Sequence, residues 1–480
     1  MHNKPLSILN DYFNHKEFRG NQEKIIDRIL NEENGHSLVI MPTGAGKSLC
    51  YQIPALCLGG GTLVISPLIA LMQDQVDSLK KINIKASFIN STVPKDKRTK
   101  RLNDFVKGNT KLLYVTPERF KKQDFCSKII KANISLLAID EAHCISSWGH
   151  DFRPDYSRIF EFRKLIGDPV TVALTATATK VVQDDIIKRV GLKPDEMKIF
   201  HQGIKRPNLR LEAKDVLDDD EKINEIISLT KKTAGSGIIY FALIKTLEQF
   251  SEILYNEKIP HLIYHGKLPA KDRKTIQNSF MNGKDKLVLA TNAFGMGVDK
   301  PDIRFVIHAE IPGCIESYYQ EIGRAGRDGN ASTCLLLYNQ DDIMIHMDFI
   351  RWSNPEPNFY IQLFDVLEND IESANSFGID YLREKLVYKN RKDFRLETAL
   401  GMFERYGVIE GCVQHKDLRL IGDLPAQLID EERFEEKILN DRKKLLSIVE
   451  YFRKEQCRRI SIEEYFGFSN EQPCGNCDNC

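Results

Sequence analysis

Met41-Pro42-Thr43-Gly44-Ala45-Gly46-Lys47-Ser48 is the stretch on which the reading of this chain turns. It follows the apolar run Ser37-Leu38-Val39-Ile40, which reads as a buried strand. It precedes Leu49-Cys50-Tyr51-Gln52-Ile53-Pro54, which reads as a helix start. A strand, a glycine-bearing turn and a helix N-terminus make an anion site, because unpaired N–H groups and the helix dipole point into the turn. Gly44 and Gly46 let the backbone bend around a phosphate with no Cβ in the way. Lys47 then reaches the β- and γ-phosphates, and the Ser48 hydroxyl holds Mg²⁺. Thr43, Gly44, Ala45, Gly46, Lys47 and Ser48 are the expected nucleotide-binding residues.

The totals frame this site. A chain of 480 residues accommodates three or four domains, each with its own core. Apolar residues make up 42% and charged residues 28%, as in ordinary globular proteins. Basic and acidic residues number 68 each, so nucleic acid would be gripped by local grooves and not by a global basic field. Met1 to Asn14 is polar and interrupted by Pro5, unlike a signal peptide. No apolar run approaches the roughly 18 residues that span a bilayer. Eleven cysteines in a leaderless chain point to reduced thiols or a metal, not a disulfide framework. A cytoplasmic, nucleoid-associated protein without membrane contact is expected.

Upstream, Arg19 and Gln22 precede the amphipathic run Ile25-Ile26-Ile29-Leu30, and a glutamine there has the paired donor and acceptor that read an adenine edge. Downstream, strand-like stretches at 62–66, 112–116 and 136–140 alternate with helical patterns such as 68–79. That alternation predicts an α/β fold, a parallel sheet covered on both faces. The strand at 136–140 ends in Asp140-Glu141-Ala142-His143. A carboxylate at the carboxyl end of a parallel strand lies in the crevice where such sheets bind ligands. Asp140 is expected to hold Mg²⁺, and Glu141 to orient or deprotonate the attacking water.

These motifs, with Cys144-Ile145-Ser146-Ser147-Trp148-Gly149-His150-Asp151-Phe152-Arg153-Pro154, resemble the RecQ family of superfamily 2 DNA helicases. The phosphate loop has Met41 in place of the first glycine, leaving T-G-x-G-K-S, a helicase-type variant. Residues 64–71 resemble motif Ia, 114–119 motif Ib and 173–178 motif III. The resemblance implies that Trp148, His150, Phe152 and Arg153 form an aromatic-rich loop that senses single-stranded DNA and couples it to hydrolysis. An aromatic face stacks on any base, and an arginine tracks phosphate. Arg19 and Gln22 match the family's base-recognition motif, with either His15 or Phe13 as the ring that stacks on adenine.

A second alternating pattern follows a polar, acidic stretch at 208–220, with no second phosphate loop. This domain is expected to complete the first site. Residues 290–300 resemble motif V, and Gln320-Glu321-Ile322-Gly323-Arg324-Ala325-Gly326-Arg327-Asp328-Gly329 resembles motif VI. Two arginines three apart on one helix face project together, and a guanidinium neutralises charge on a transferring γ-phosphoryl group. Arg327 is the expected finger, with Arg324 beside it on the phosphates; the two roles are interchangeable on sequence alone. Gln320 joins the catalytic set.

In the tail, Cys457, Cys474, Cys477 and Cys480 are spaced C-x16-C-x2-C-x2-C. Four thiolates suit closed, tetrahedral, structural Zn²⁺, and the surrounding residues resemble the RecQ zinc module. Before it lie roughly 100 residues that the common RecQ order lacks. Helical patterns at 358–373, 381–388 and 394–406, then a hairpin of 408–413 and 418–421, predict a winged-helix-like module. Its tip carries His415, read either as a ring stacking at a duplex junction or as a turn residue beside the phosphate-gripping Lys416 and Arg419.

The expected architecture is two RecA-like ATPase domains (1–207 and 208–342), a winged-helix-like module (343–430) and a zinc-binding helical module (431–480). The resemblance implies an ATP-dependent DNA helicase of 3′-to-5′ polarity using ATP, Mg²⁺ and Zn²⁺, a monomer acting on single-stranded and tailed duplex DNA in recombination and repair. Single-strand-binding protein and other repair proteins are its expected partners. The alternative is a DNA-stimulated ATPase that moves on nucleic acid without separating strands.

Overall fold

Ser37, Leu38, Val39 and Ile40 are all buried, as are the four residues Leu112–Val115. Strands buried on both faces read as continuous apolar runs, the pattern of a parallel sheet with helices above and below. The computed structural model bears this out. It describes residues 3–42, 44–146, 148–149, 153–201, 203–295, 298–387, 393–469 and 472–480.

Seven strands form the first sheet: β1 (Ser37–Ile40), β2 (Gly61–Ile65), β3 (Ala86–Ile89), β4 (Leu112–Val115), β5 (Ile134–Ile139), β6 (Val170–Thr175) and β7 (Lys198–His201). Their order is β3-β4-β2-β5-β6-β1-β7, all parallel. Successive side chains point to opposite faces. Leu38 and Ile40 therefore enter one core with Leu63, Leu113 and Leu137, while Val39 and Met41 enter the other with Val64, Tyr114 and Ala138.

The second sheet comprises β8 (Leu209–Asp215), β9 (Ser236–Tyr240), β10 (Leu262–Tyr264), β11 (Leu287–Ala290), β12 (Ile303–His308) and β13 (Ser332–Tyr338). It is again parallel, in the order β10-β11-β9-β12-β13-β8. The polar stretch expected as a boundary at 208–220 thus contains a strand. As an edge strand, β8 buries Leu209 and Leu211 and exposes Arg210, so its composition is mixed. Its free edge is met by the chain's tail: Asp478 N–H donates to Leu211 O at 3.1 Å, and Ala213 N–H donates to Asp478 Oδ2 at 2.9 Å.

Residues 1–338 and 451–480 form one compact unit, and residues 339–450 a second. The second unit holds the helices Asp342–Ser353, Pro357–Phe377, Ile379–Val387 and Arg395–Tyr406, a two-stranded antiparallel ribbon and most of the helix Glu431–Arg453. Leu363, Leu367, Leu396, Phe403 and Val408 are in its core. The ribbon, β14 (Ile409–Glu410) with β15 (Arg419–Leu420), is shorter than the hairpin expected from sequence. Val413 is buried and starts a 3₁₀ turn through His415, and Lys416 follows with φ +59°. Burying that valine folds the tip back and ends the ladder early.

Candidate active site and zinc centre

The phosphate loop leaves the carboxyl end of β1, between β6 and β7. Gly44 and Gly46 have φ of +81° and +79°, the left-handed region that glycine enters freely. Gln22, buried beneath the loop, donates its amide N–H groups to Ala45 O (3.2 Å) and Gly46 O (3.1 Å) and accepts from Arg19 N–H at 2.9 Å. Both donors of Gln22 are thus directed at the carbonyls of the loop. Phe13 packs into the core while His15 is exposed. Thr43 lies outside the described residues.

Lys47 donates to Met41 O (3.0 Å) and Pro42 O (3.4 Å). Burial lowers its pKa, and the Glu141 and Asp140 charges oppose that shift. Asp140 follows β5 with its backbone N–H on Ile65 O at 2.8 Å. Burial, then the neighbouring Glu141, pushes its carboxyl up to about 7. Glu141 adopts φ +49°, ψ +49°, a conformation that costs a non-glycine residue on the order of 1–3 kcal/mol and clusters at functional sites. His143 Nδ1 is 3.0 Å from Thr175 Oγ1 and 3.5 Å from Glu141 Oε2. Burial, then the Lys47 and Arg153 charges, pushes His143 down to about 3, so it faces Glu141 as a neutral ring. Among the described residues, this orienting histidine is one that sequence reasoning quoted without giving it a role.

The second sheet domain brings an arginine to the phosphate loop. Arg327 lies against Gly44, where a Cβ would stand 3.5 Å from the arginine Cδ. Its guanidinium pairs with Asp299 Oδ1 at 2.6 Å. Arg324 lies beside Gly295: its NH2 is 2.9 Å from where a Cβ on that glycine would be. Gln320 Nε2 reaches Thr177 Oγ1 at 3.4 Å, linking the second domain to the loop after β6.

Trp148 is half-buried against the first-domain core, and its N–H donates to Ser146 Oγ at 3.1 Å. Arg153 donates to Pro67 O at 3.1 Å, tying this loop to the end of β2. His150 and Phe152 lie outside the described residues. His415 is exposed at the ribbon tip in the second unit.

The four Sγ atoms of Cys457, Cys474, Cys477 and Cys480 lie within 4.8 Å of one another. Three of the pairs are 3.4, 3.9 and 4.0 Å apart. A tetrahedron with Zn–S of about 2.3 Å has sulfur–sulfur edges of about 3.8 Å, so the cluster fits Zn²⁺. Backbone N–H groups of Arg458, Cys474 and Asn476 donate to Cys477, Cys457 and Cys474 sulfurs at 3.4 Å, bonds that orient thiolate ligands. The phosphate loop with Asp140 likewise fits ATP with Mg²⁺.

Comparison with known proteins agrees with this geometry. Residues 19–185 match the DEAD/DEAH box helicase family, 220–329 the helicase conserved C-terminal domain and 421–480 the RecQ zinc-binding family. The probable ATP-dependent DNA helicase RecS of Bacillus subtilis is 35% identical over 98% of this chain and 91% of its own. The chain belongs to the RecQ family. The ATP-dependent DNA helicase RecQ of B. subtilis is 38% identical to this RecQ-family chain over 99% of its length, which spans 66% of that relative. Among solved structures, the helicase Lhr of Mycobacterium smegmatis bound to single-stranded DNA and AMP-PNP has a TM-score of 0.56 and 18% identity, covering 82% of this chain and 56% of that one. That likeness shows the fold alone. Among the described residues of this RecQ-family chain, no helix is long and apolar enough to cross a membrane.

Proposed function

We propose that this chain is an ATP-dependent DNA helicase that couples hydrolysis between its two sheet domains to 3′-to-5′ translocation and duplex unwinding in recombination and repair. The observation that carries the reading is Arg327, delivered by the second domain to within contact of Gly44 in the first domain's phosphate loop. A site completed across two domains changes when they move, which is how hydrolysis drives a motor.

In this reading Lys47 leaves its carbonyl partners to hold the β- and γ-phosphates, and Ser48 and Asp140 hold Mg²⁺, which neutralises phosphate charge when bound. Glu141 takes the proton of the attacking water. The neutral His143 positions it without forming an ion pair that would weaken it as a base. Arg327 exchanges Asp299 for the γ-phosphoryl oxygens. Arg324 and Gln320 hold the second domain's side of the site. Arg19, with the exposed ring of His15, lies at the adenine end. Trp148 and Arg153 couple bound DNA to this chemistry.

We place the domains at 1–207, 208–342, 343–430 and 431–480, the third a winged-helix-like module contacting duplex through the tip that carries His415. A cytoplasmic, nucleoid-associated monomer acting with single-strand-binding protein completes the proposal. The test is strand separation of 3′- and 5′-tailed duplexes with ATP, beside DNA-stimulated hydrolysis. Unwinding of the 3′-tailed duplex alone is expected. Stimulated hydrolysis with no unwinding of either would replace it with a translocase.

A further inference from the structure

Residues 204–209 join the two sheets, and they are bonded on both sides. On one side, Arg206 donates through NH1 to Gly323 O at 3.1 Å and through NH2 to Ala325 O at 2.6 Å and Gly326 O at 2.9 Å. Asn208 Nδ2 donates to Gly326 O at 2.8 Å and Asn330 O at 2.9 Å. These carbonyls belong to the turn that carries Arg324 and Arg327. Gly326, immediately before Arg327, has φ +55°, and a Cβ there would stand 2.4 Å from Asn208 Nδ2.

On the other side, the connector's own carbonyls are held by the zinc module. Arg459, two residues after the ligand Cys457, donates to Arg206 O and Leu209 O, each at 3.1 Å. Asn476, between the ligands Cys474 and Cys477, donates to Pro207 O at 3.0 Å and Leu209 O at 3.3 Å. Tyr319, on the helix Ile315–Ile322 that leads into the arginine turn, donates to Ile204 O at 2.9 Å and sets its ring 5.5 Å from that of Phe466. Hydrogen bonds joined by short covalent segments therefore link the four-cysteine site through the connector to the arginine turn.

We propose that Arg206 is a positioning residue for Arg327, and that the zinc module, through Arg459 and Asn476, sets the rate of nucleotide turnover by holding the connector in place. This rests on Arg327 being the finger. A carbonyl turn left without its donors shifts, and displacement of a catalytic group by about 1 Å costs up to about a hundredfold in rate.

The experiment uses the full chain. Zinc content, ADP affinity, affinity for ADP with aluminium fluoride, and kcat and KM for DNA-stimulated hydrolysis are measured for wild type, Arg206→Ala, Arg206→Lys, Arg459→Ala and Arg327→Ala. Arg206→Ala is expected to keep its zinc, its ADP affinity and its KM. It loses about tenfold to a hundredfold in kcat and, in step, in affinity for the aluminium fluoride complex. Arg206→Lys recovers part of the loss, and Arg459→Ala shows a smaller loss of the same kind with zinc retained. Wild-type kcat in Arg206→Ala, beside a slow Arg327→Ala, overturns the inference and leaves the finger intact. Wild-type kcat in Arg327→Ala removes the finger reading itself. If Arg206→Ala does not fold, Arg459→Ala decides: zinc bound with wild-type kcat overturns the inference.

Discussion

Gln22 Nε2 donates to Gly46 O at 3.1 Å, and a Cβ on Gly46 would stand 2.6 Å from that same nitrogen. The glycine is required both by its positive φ and by the amide packed beneath it. Gly46→Ala is expected to weaken nucleotide binding by about tenfold or more, since left-handed backbone alone costs roughly 1–2 kcal/mol outside glycine. Gln22→Ala is expected to weaken it in the same direction while leaving room at Gly46. Titration with a fluorescent ADP analogue reads both, and unchanged affinity in Gly46→Ala would show the loop tolerant of a side chain.

Glu141→Gln keeps the shape of the site and removes the base. Turnover is expected to fall about a hundredfold to ten-thousandfold with nucleotide still bound, whereas Lys47→Ala weakens binding itself. Normal turnover in Glu141→Gln would refute the base assignment.

Trp148 has one face on the first-domain core, so its two roles must be separated by measurement. Trp148→Ala is expected to keep basal hydrolysis while losing DNA stimulation and unwinding. A lowered melting temperature with full stimulation would make the residue a packing group only.

The ribbon tip separates two duplex-handling modes. If His415 stacks on the terminal pair, a contact worth about 1–3 kcal/mol, His415→Ala lowers unwinding and leaves duplex affinity alone. If the tip grips, Lys416→Ala and Arg419→Ala reduce affinity and flatten its salt dependence by roughly one unit per lost contact. Normal unwinding in all three would place the junction elsewhere.

His36 is buried, with Thr171 N–H donating to its Nδ1 at 3.0 Å and Arg163 beside it. Burial, then the Arg163 charge, pushes its pKa from 6.5 down to about 4. The unfolded chain therefore takes up the proton first. The stabilisation is complete above about pH 6.5 and is lost as pH falls towards about 4, by at most about 3 kcal/mol. Urea unfolding of wild type and His36→Asn across that range is expected to show a steeper loss in wild type; parallel curves would contradict it.

Where function needs contiguous residues, the sequence was readable. The phosphate loop and Asp140-Glu141 each place their chemistry within one turn or strand end, and three of the four cysteines fall within seven residues, Cys474 to Cys480. Gln22 beneath Gly46 and Arg206 beneath the arginine turn were not readable. Their partners lie 24 and 117 to 120 residues away, and no local pattern marks a side chain that bonds to distant backbone. The same reason hid β8, whose half-exposed alternation reads as a boundary, and shortened the ribbon, whose valine turned inward to a core that the sequence does not display.

The covering of β8 by Asp478 has a consequence for biosynthesis. Ala213 and Asp478 are separated by 265 residues, and at roughly 5–20 residues per second the partner emerges tens of seconds after the strand. Throughout that interval the nascent second sheet presents an open row of N–H and C=O groups, the kind of edge that recruits foreign strands. The edge is closed only when the tail that carries Asp478 has emerged and docked on Leu211 and Ala213.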